Sequence, residues 1–436
     1  MPDSITNRFD RIDSTQPTTP TRKRTVTATP TSSEPRTDVD LHRASGAVYL
    51  AFVANGGLFA AWASRIPDAI RQLEVSTAQF SLLLLCLSIG AVAALPLSGL
   101  IVQRIGLSRA ILTGASVASV GVSVAALGVT VWSLPTVVAV GLAFTGLGMG
   151  LWDASMNMAG ADVEHRLGRS IMPRYHAAFS GGTVASALIG AAASAARIPL
   201  AVHIPALVVV LLVAVVIGTR PLRGLRHRVE PRPDDATPVV TRSAWTERRT
   251  LLIGVVVMVA AFTEGTANDW IAEAFVSGHG VPSWAGILAF AVFLTCMTAG
   301  RLVGTHVLDR YGRVPVLRIT MVAAVLGCLL VVFGPTPVAY LGVAVWGMGV
   351  ALGFPVGMSA AADDPDRAPA RVATVSTIGY TAFLAGPPLL GFLGEHFGVL
   401  RALLVVGAAV IVALACLPAV REPARRDLSS SPRHPS

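Results

Sequence analysis

From about residue 44 to residue 420 the chain alternates between long apolar runs and short polar, mostly arginine-bearing connectors. A helix needs about 20 predominantly apolar residues to cross a bilayer. The runs supply that length twelve times, near 45–66, 79–101, 109–130, 134–161, 175–196 and 199–219, then near 250–271, 284–308, 316–334, 337–361, 372–395 and 400–420. The pattern predicts an all-α membrane protein of twelve transmembrane helices, numbered here as spans 1 to 12. Residues 1–43 are rich in Thr, Pro, Ser and Arg and read as a disordered cytoplasmic tail. They have no apolar core of the kind a cleavable signal peptide requires. Residues 220–249 are polar and proline-containing, and they divide the chain into two six-span halves, 44–219 and 250–420, before a tail at 421–436.

Composition sharpens this picture. Hydrophobic residues make up 53% of the chain and charged residues 14%, against roughly 25% charged in soluble domains. The 41 glycines suit helices that approach closely in lipid, where packing drives association. The net charge of +9 does not imply nucleic acid, because the arginines sit in the connectors. With the N-terminus inside, the inner connectors hold Arg104, Arg109, Arg166, Arg169, Arg174, Arg310, Arg313, Arg318, Arg367 and Arg371, besides those of the central connector. The outer side holds Arg65, Arg71, Arg197 and Arg401. That asymmetry predicts an inner-membrane protein with both termini cytoplasmic. Trp132, Trp270 and Trp284 fall near outer ends, where interfacial anchors belong. The four cysteines lie inside apolar runs and read as packing residues.

The halves repeat each other in order. Gly57-x4-Trp62 in span 1 matches Gly265-x4-Trp270 in span 7. Gln103-Arg104-Ile105-Gly106 after span 2 matches Asp309-Arg310-Tyr311-Gly312-Arg313 after span 8. Gly146-x-Gly148-x-Gly150 in span 4 matches Gly347-x-Gly349-x4-Phe354-Pro355 in span 10. Two parallel six-span repeats form a known transporter architecture.

On these motifs the chain resembles the major facilitator superfamily. Asp309-Arg310-x-Gly312-Arg313 looks like that family's loop motif between spans 8 and 9. Gln103 stands where the first-half copy of the motif usually has Asp, a departure at the charge relay that latches the cytoplasmic gate. A closer resemblance is to a bacterial branch related to the fucose permease, sometimes called YbjJ-like. It is carried by Asn55-Gly56-Gly57 and Trp62-Ala63-Ser64-Arg65-Ile66-Pro67, by Gly148 through Asn157, and by Gly168 through Ser180. The resemblance implies two pseudo-symmetric six-helix bundles that rock around a cavity lined by spans 1, 4, 7 and 10.

Ionisable side chains inside spans cost roughly 2.5–3.5 kcal/mol on insertion scales and need a reason. Asp153 in span 4, beside Trp152 and one turn before Asn157, reads either as a protonatable coupling group or as a fixed partner of an inner-gate cation, with His176 available. In span 7, Glu264 and Asn268 share a helical face, and Glu264 is expected in the cavity. Asp269 reads as a solvated end residue or a partner for Arg65. Arg301 in span 8 is expected to pair with Asp309 or another inner-gate acid, or to snorkel. Asn55 and Trp62 in span 1 are candidate solute contacts, although a Trp near an outer end is also a common anchor. His203 reads as interfacial. Pro355 and Gly386-Pro387-Pro388 are expected to interrupt spans 10 and 11 as gating or hinge points, and Asp309, Arg310, Gly312 and Arg313 to serve the inner gate.

No P-loop, zinc motif or nucleophile elbow is found. The expectation is a non-enzymatic secondary transporter without cofactor or metal, moving a small solute, a sugar or related polar molecule, with protons. A drug/proton antiporter is the alternative. Such antiporters usually carry an Arg in span 4 where Leu142 stands, and a Gly-Pro motif in span 5, whereas 176–196 has no proline. A non-transporting receptor or scaffold is a further alternative, and it would normally add a folded soluble domain.

Overall fold

In hydrocarbon every main-chain polar group must find its partner within its own segment, so an apolar run in lipid becomes a helix. The computed structural model describes residues 38–168, 171–224, 243–364 and 367–422. Among them there is no β-strand. The first half comprises α1 (Asp38–Ala63), α2 (Ile66–Leu73), α3 (Thr77–Ile105), α4 (Leu107–Leu127), α5 (Pro135–Leu167), α6 (Met172–Ala195) and α7 (Leu200–Gly218). The second comprises α8 (Arg248–Glu273), α9 (Ser283–Tyr311), α10 (Arg313–Phe333), α11 (Thr336–Val350), α12 (Gly353–Ala361), α13 (Ala368–Phe397), α14 (Val399–Ala402) and α15 (Leu404–Cys416). Eleven stretches among the described residues are long and apolar enough to cross a membrane. The twelfth expected span, α13, has 30 residues, but its Thr, Ser, Gly and Pro content dilutes its hydropathy.

Three expectations shift. Helix α1 begins at Asp38, so residues 38–43 are helical rather than tail; the rest of that tail lies outside the described residues. The central connector holds short 3-10 turns at Arg220–Gly224 and Ala244–Thr246, and α8 already starts at Arg248. Residues 225–242 of the connector and 423–436 of the C-terminal tail lie outside the described residues. Gly386-Pro387-Pro388 does not interrupt span 11, because α13 runs through it. Its packing against α8 and α3 holds the helix where two main-chain donors are missing.

Span 10 does break, at Ala351–Leu352, between α11 and α12. Pro355 has no N–H to return to the carbonyl of Ala351 four residues earlier, so the turn opens there.

Glycines set the close contacts, and they repeat. A methyl on Gly146 of α5 would meet the Leu87 carbonyl oxygen of α3 at 1.9 Å, and one on Gly347 of α11 would meet the Phe293 oxygen of α9 at 2.5 Å. A methyl on Gly148 would meet the main-chain nitrogen of Ala118 at 2.2 Å, and one on Gly349 that of Ala324 at 2.5 Å. Gly106 and Gly312 close α3 and α9 at φ 82° and 79°, a left-handed conformation that favours glycine. The sequence repeat is thus a repeat of contacts.

Helices before the connector pack on one another, chiefly α3, α4 and α5, and α1 with α6 and α7. Those after it do likewise, through α8 with α13, α9 with α11, and α10 with α11 and α15. The two sets meet where α6 packs on α9 and α3 on α13. The start of α1, the end of α5 and the start of α8 lie at one end of the molecule, the linker end. The starts of α3, α7 and α9 lie at the other, the far end.

Candidate functional site

On α5, positions 149, 153 and 157 fall four apart and share a face. Leu151, Trp152, Ser155 and Met156 turn the other way and are buried. Asp153 is exposed to solvent. Asn157 donates its amide to the Asp153 main-chain oxygen at 2.9 Å and to the carboxylate at 3.3 Å. No cation pairs with Asp153 among the described residues. Tyr380 of α13, in the other set of helices, lies within electrostatic range of it. His176 is not its partner. The His176 ring packs edge-on against Phe52, with centroids 5.2 Å apart, and lies within electrostatic range of Arg301.

Arg301 does not pair with Asp309. Its Nη2 donates to both Glu264 oxygens, at 3.0 and 2.9 Å, joining α9 to α8. Its Nε reaches the Ala351 oxygen at 3.4 Å. That is the carbonyl which Pro355 leaves without its helical partner, so one guanidinium serves both Glu264 and the break in span 10. The signal for this pair was present as two opposite charges in consecutive spans, each needing a partner in lipid.

Asp269 sits in a small enclosed space of about 20 Å³ between α3, α8 and α13, together with Ser88, Thr266, Phe383 and Pro387. That volume is about one water. Asp269 makes no ion pair or hydrogen bond among the described residues, and the neighbouring Thr266 hydroxyl has no partner either. The expected partner, Arg65, is engaged elsewhere: its donors go to Asp68 at 2.6 Å and the Ile198 oxygen at 2.8 Å, and it lies 3.3 Å from His203 Nδ1. His203 is therefore buried rather than interfacial. Trp270 is also buried, while Trp132 and Trp284 remain exposed as anchors should.

Asn55, Trp62 and Trp152 are buried, and the Asn55 amide and both indole N–H groups lack partners among the described residues. In this conformation none of them faces solvent. Asn268 is half-buried with its side-chain oxygen unpartnered.

The far end is sealed between the two sets of helices. A methyl on Gly391 of α13 would meet Ser81 Oγ of α3 at 2.1 Å, and the Ala78 N–H donates to Glu395 at 3.3 Å. At the linker end the charges bind within the second set. Arg313 holds Asp363 at 2.8 Å and the Ser359 hydroxyl at 3.0 Å, and Arg249 holds Asp363 at 2.8 Å. Asp309 and Arg310 are exposed, and Arg310 lies 5.4 Å over the Tyr311 ring. Glu247 receives Arg367, Arg371 and the Thr250 hydroxyl. Burial acts to raise its carboxyl, but the Thr250 hydrogen bond and the two arginines outweigh it, so it lies below the ordinary glutamate value.

Residues 253–435 match the Major Facilitator Superfamily. An uncharacterized transporter of Sinorhizobium fredii, y4wD, is 31% identical over 375 residues, covering 84% of this chain and 95% of that protein. An uncharacterized MFS-type transporter of Yersinia pestis is 30% identical over 371 residues, covering 83% and 93%. The nucleoside transporter NupG superposes with a TM-score of 0.68 at 15% identity, over 86% of this chain and 98% of its own. A variant of the E. coli fucose:proton symporter FucP gives 0.56 at 13% identity, over 88% and 99%. An inward-facing, unoccupied bacterial homolog of the human lysosomal transporter Spinster gives 0.69 at 13% identity, over 88% and 98%. At such identities the superpositions establish the fold, and the Yersinia pestis relative, 30% identical over 83% of this chain, establishes the family. The chain belongs to the major facilitator superfamily, as a multi-pass bacterial inner-membrane protein of the secondary-transporter class.

Proposed function

We propose that the protein is a proton-coupled importer of a sugar or similarly small polar solute, within the fucose-permease-related, YbjJ-like branch. On this reading two six-helix bundles, residues 44–219 and 250–420, alternate access around a site between them. The termini and the 220–249 connector are cytoplasmic, so the linker end faces inward and the far end outward. The observation that carries the reading is Asp153, a carboxylate within a membrane-crossing helix that is exposed on its helix face and has no cation paired with it among the described residues. A permanent charge there is costly, whereas a carboxyl that takes up and loses a proton carries the coupling ion without that cost at every step. Glu264 is the second acid. A proton on it would loosen Arg301 and with it the hold on Ala351 at the break in span 10, tying protonation to a moving element. The names of two proteins sharing the fold, a fucose:proton symporter and a nucleoside transporter, support a small polar solute.

The test is uptake into proteoliposomes under an imposed inward proton gradient, with a panel of sugars, nucleosides and cationic drugs. Accumulation of one polar class that collapses with a protonophore is expected. Gradient-driven expulsion of the drugs instead would overturn import in favour of efflux.

A further inference from the structure

We propose that the far end carries a binding site for a small oxyanion, a carboxylate or phosphate, that clamps the sealed state. A depression of about 610 Å³ opens there, bounded by α2, the connector between α6 and α7, and the start of α9. Three arginines line it, Arg65, Arg71 and Arg197, against one acid, Asp68. Arg65 is fully engaged by Asp68, His203 and Ile198. Arg71 gives one nitrogen to Asp68. Arg197 is exposed, and its guanidinium has no partner among the described residues. Its backbone sits at φ 56°, a region non-glycine residues seldom occupy and that persists where the surroundings hold it.

Two long helices begin at this depression. Helix α7 has 19 residues and follows Pro199, while α9 has 29 and follows Pro282; neither has a side-chain cap. Proline offers no capping group, so the first-turn donors stay open. In α9 the N–H groups of Ala285 and Gly286 return to the Pro282 oxygen, which leaves those of Ser283 and Trp284 without a partner. In α7 Val202 and His203 return to Pro199 and Ala201 bonds the Thr130 hydroxyl, which leaves Leu200. Ser283 itself lines the depression, is 8% exposed, and its hydroxyl has no partner among the described residues. Two helix N-termini, open donors and a free guanidinium around one space make an anion site. Glu273, buried at the end of α8 within electrostatic range of Arg71 and Asp68, is the further acid nearby. Trp284, half exposed, supplies an apolar wall.

The site joins both sets of helices: α2 and the α6–α7 connector belong to the first, Pro282 to Trp284 to the second. On the alternating-access reading above, opening the far end would pull these apart. An anion bound here therefore interacts with the sealed state and shifts the population toward it.

Direct binding tests the site independently of transport. Purified protein in detergent is titrated with inorganic phosphate and with citrate, and in a second arm placed in nanodiscs with and without phosphatidylglycerol. The variant is Arg197→Gly, which removes the guanidinium and suits the φ of that position; Arg401→Gln serves as a control for charge at the same end. A saturable signal weakened about tenfold by Arg197→Gly, and unchanged by Arg401→Gln, is expected. Found with phosphate or citrate it supports a soluble ligand; found with phosphatidylglycerol alone it supports a lipid headgroup. Binding in neither arm, or binding indifferent to Arg197, overturns the proposal whatever the transport assay shows.

Discussion

At the scale of single residues the proposed site rests on two acids with opposite surroundings. Asp153 is exposed with no ion-pair partner among the described residues, while Glu264 is held by Arg301 at 2.9 Å. The pair is only partly exposed, so removing one partner leaves a charge in a poor environment. Glu264→Gln and Arg301→Gln are each expected to lower transport sharply. The double variant should recover part of the loss of stability, with a coupling of about 1–2 kcal/mol in a thermal-unfolding double-mutant cycle. Additive losses would mean that the two side chains act separately. Asp153 and Glu264 were legible in the sequence because an acid in a span stands out. Their partners were not. Pairing depends on which helices touch, and the sequence offered Asp309 and His176 to Arg301 and Asp153, where the fold supplies Glu264 to the one and no cation to the other. Asp269 was missed as an enclosed acid for the same reason, since its walls come from α3 and α13.

At the scale of elements the glycine contacts are the firmest feature. Gly148→Ala would force a methyl onto the Ala118 main chain and should destabilise the fold by about 1–3 kcal/mol. Gly99→Ala meets nothing within 4 Å and should be neutral, or stabilising by up to about 1 kcal/mol. Thermal unfolding in detergent compares the two, and equal effects would contradict this packing. The cluster joining the starts of α8 and α13 adds a pH dependence. Because the Glu247 carboxyl lies below its ordinary value of about 4.3, its contribution is present above that value and is lost as pH falls through it and below. Wild type should therefore lose more thermal stability than Glu247→Gln on moving from neutral pH to pH near 3.5. Span positions were readable because hydropathy in lipid is nearly a one-dimensional signal. The start of α1 at Asp38 was not, since Asp38–Arg43 is too polar to register as part of a span. The break in span 10 was anticipated at Pro355, but it falls at Ala351–Leu352 because a proline acts on the carbonyl four residues back.

At the scale of the molecule, the two sets of helices touch at the far end, and Asp153 within its span is exposed. Ser81 against Gly391 and Ala78 against Glu395 close the far end, while Asp153 and His176 stay exposed. The twofold repeat legible in the sequence reappears as matched contacts at Gly146 and Gly347 and as matched positive-φ turns at Gly106 and Gly312. Which end is sealed left no trace in the sequence, because on the proposed alternating-access reading one sequence encodes both states. The central claim is that solute movement carries a proton by way of Asp153. The most direct measurement is internal pH in proteoliposomes on adding the solute found in the uptake screen, for wild type and Asp153→Asn side by side. Prompt acidification is expected in wild type and none in Asp153→Asn, with solute binding retained. Full acidification in Asp153→Asn would contradict it.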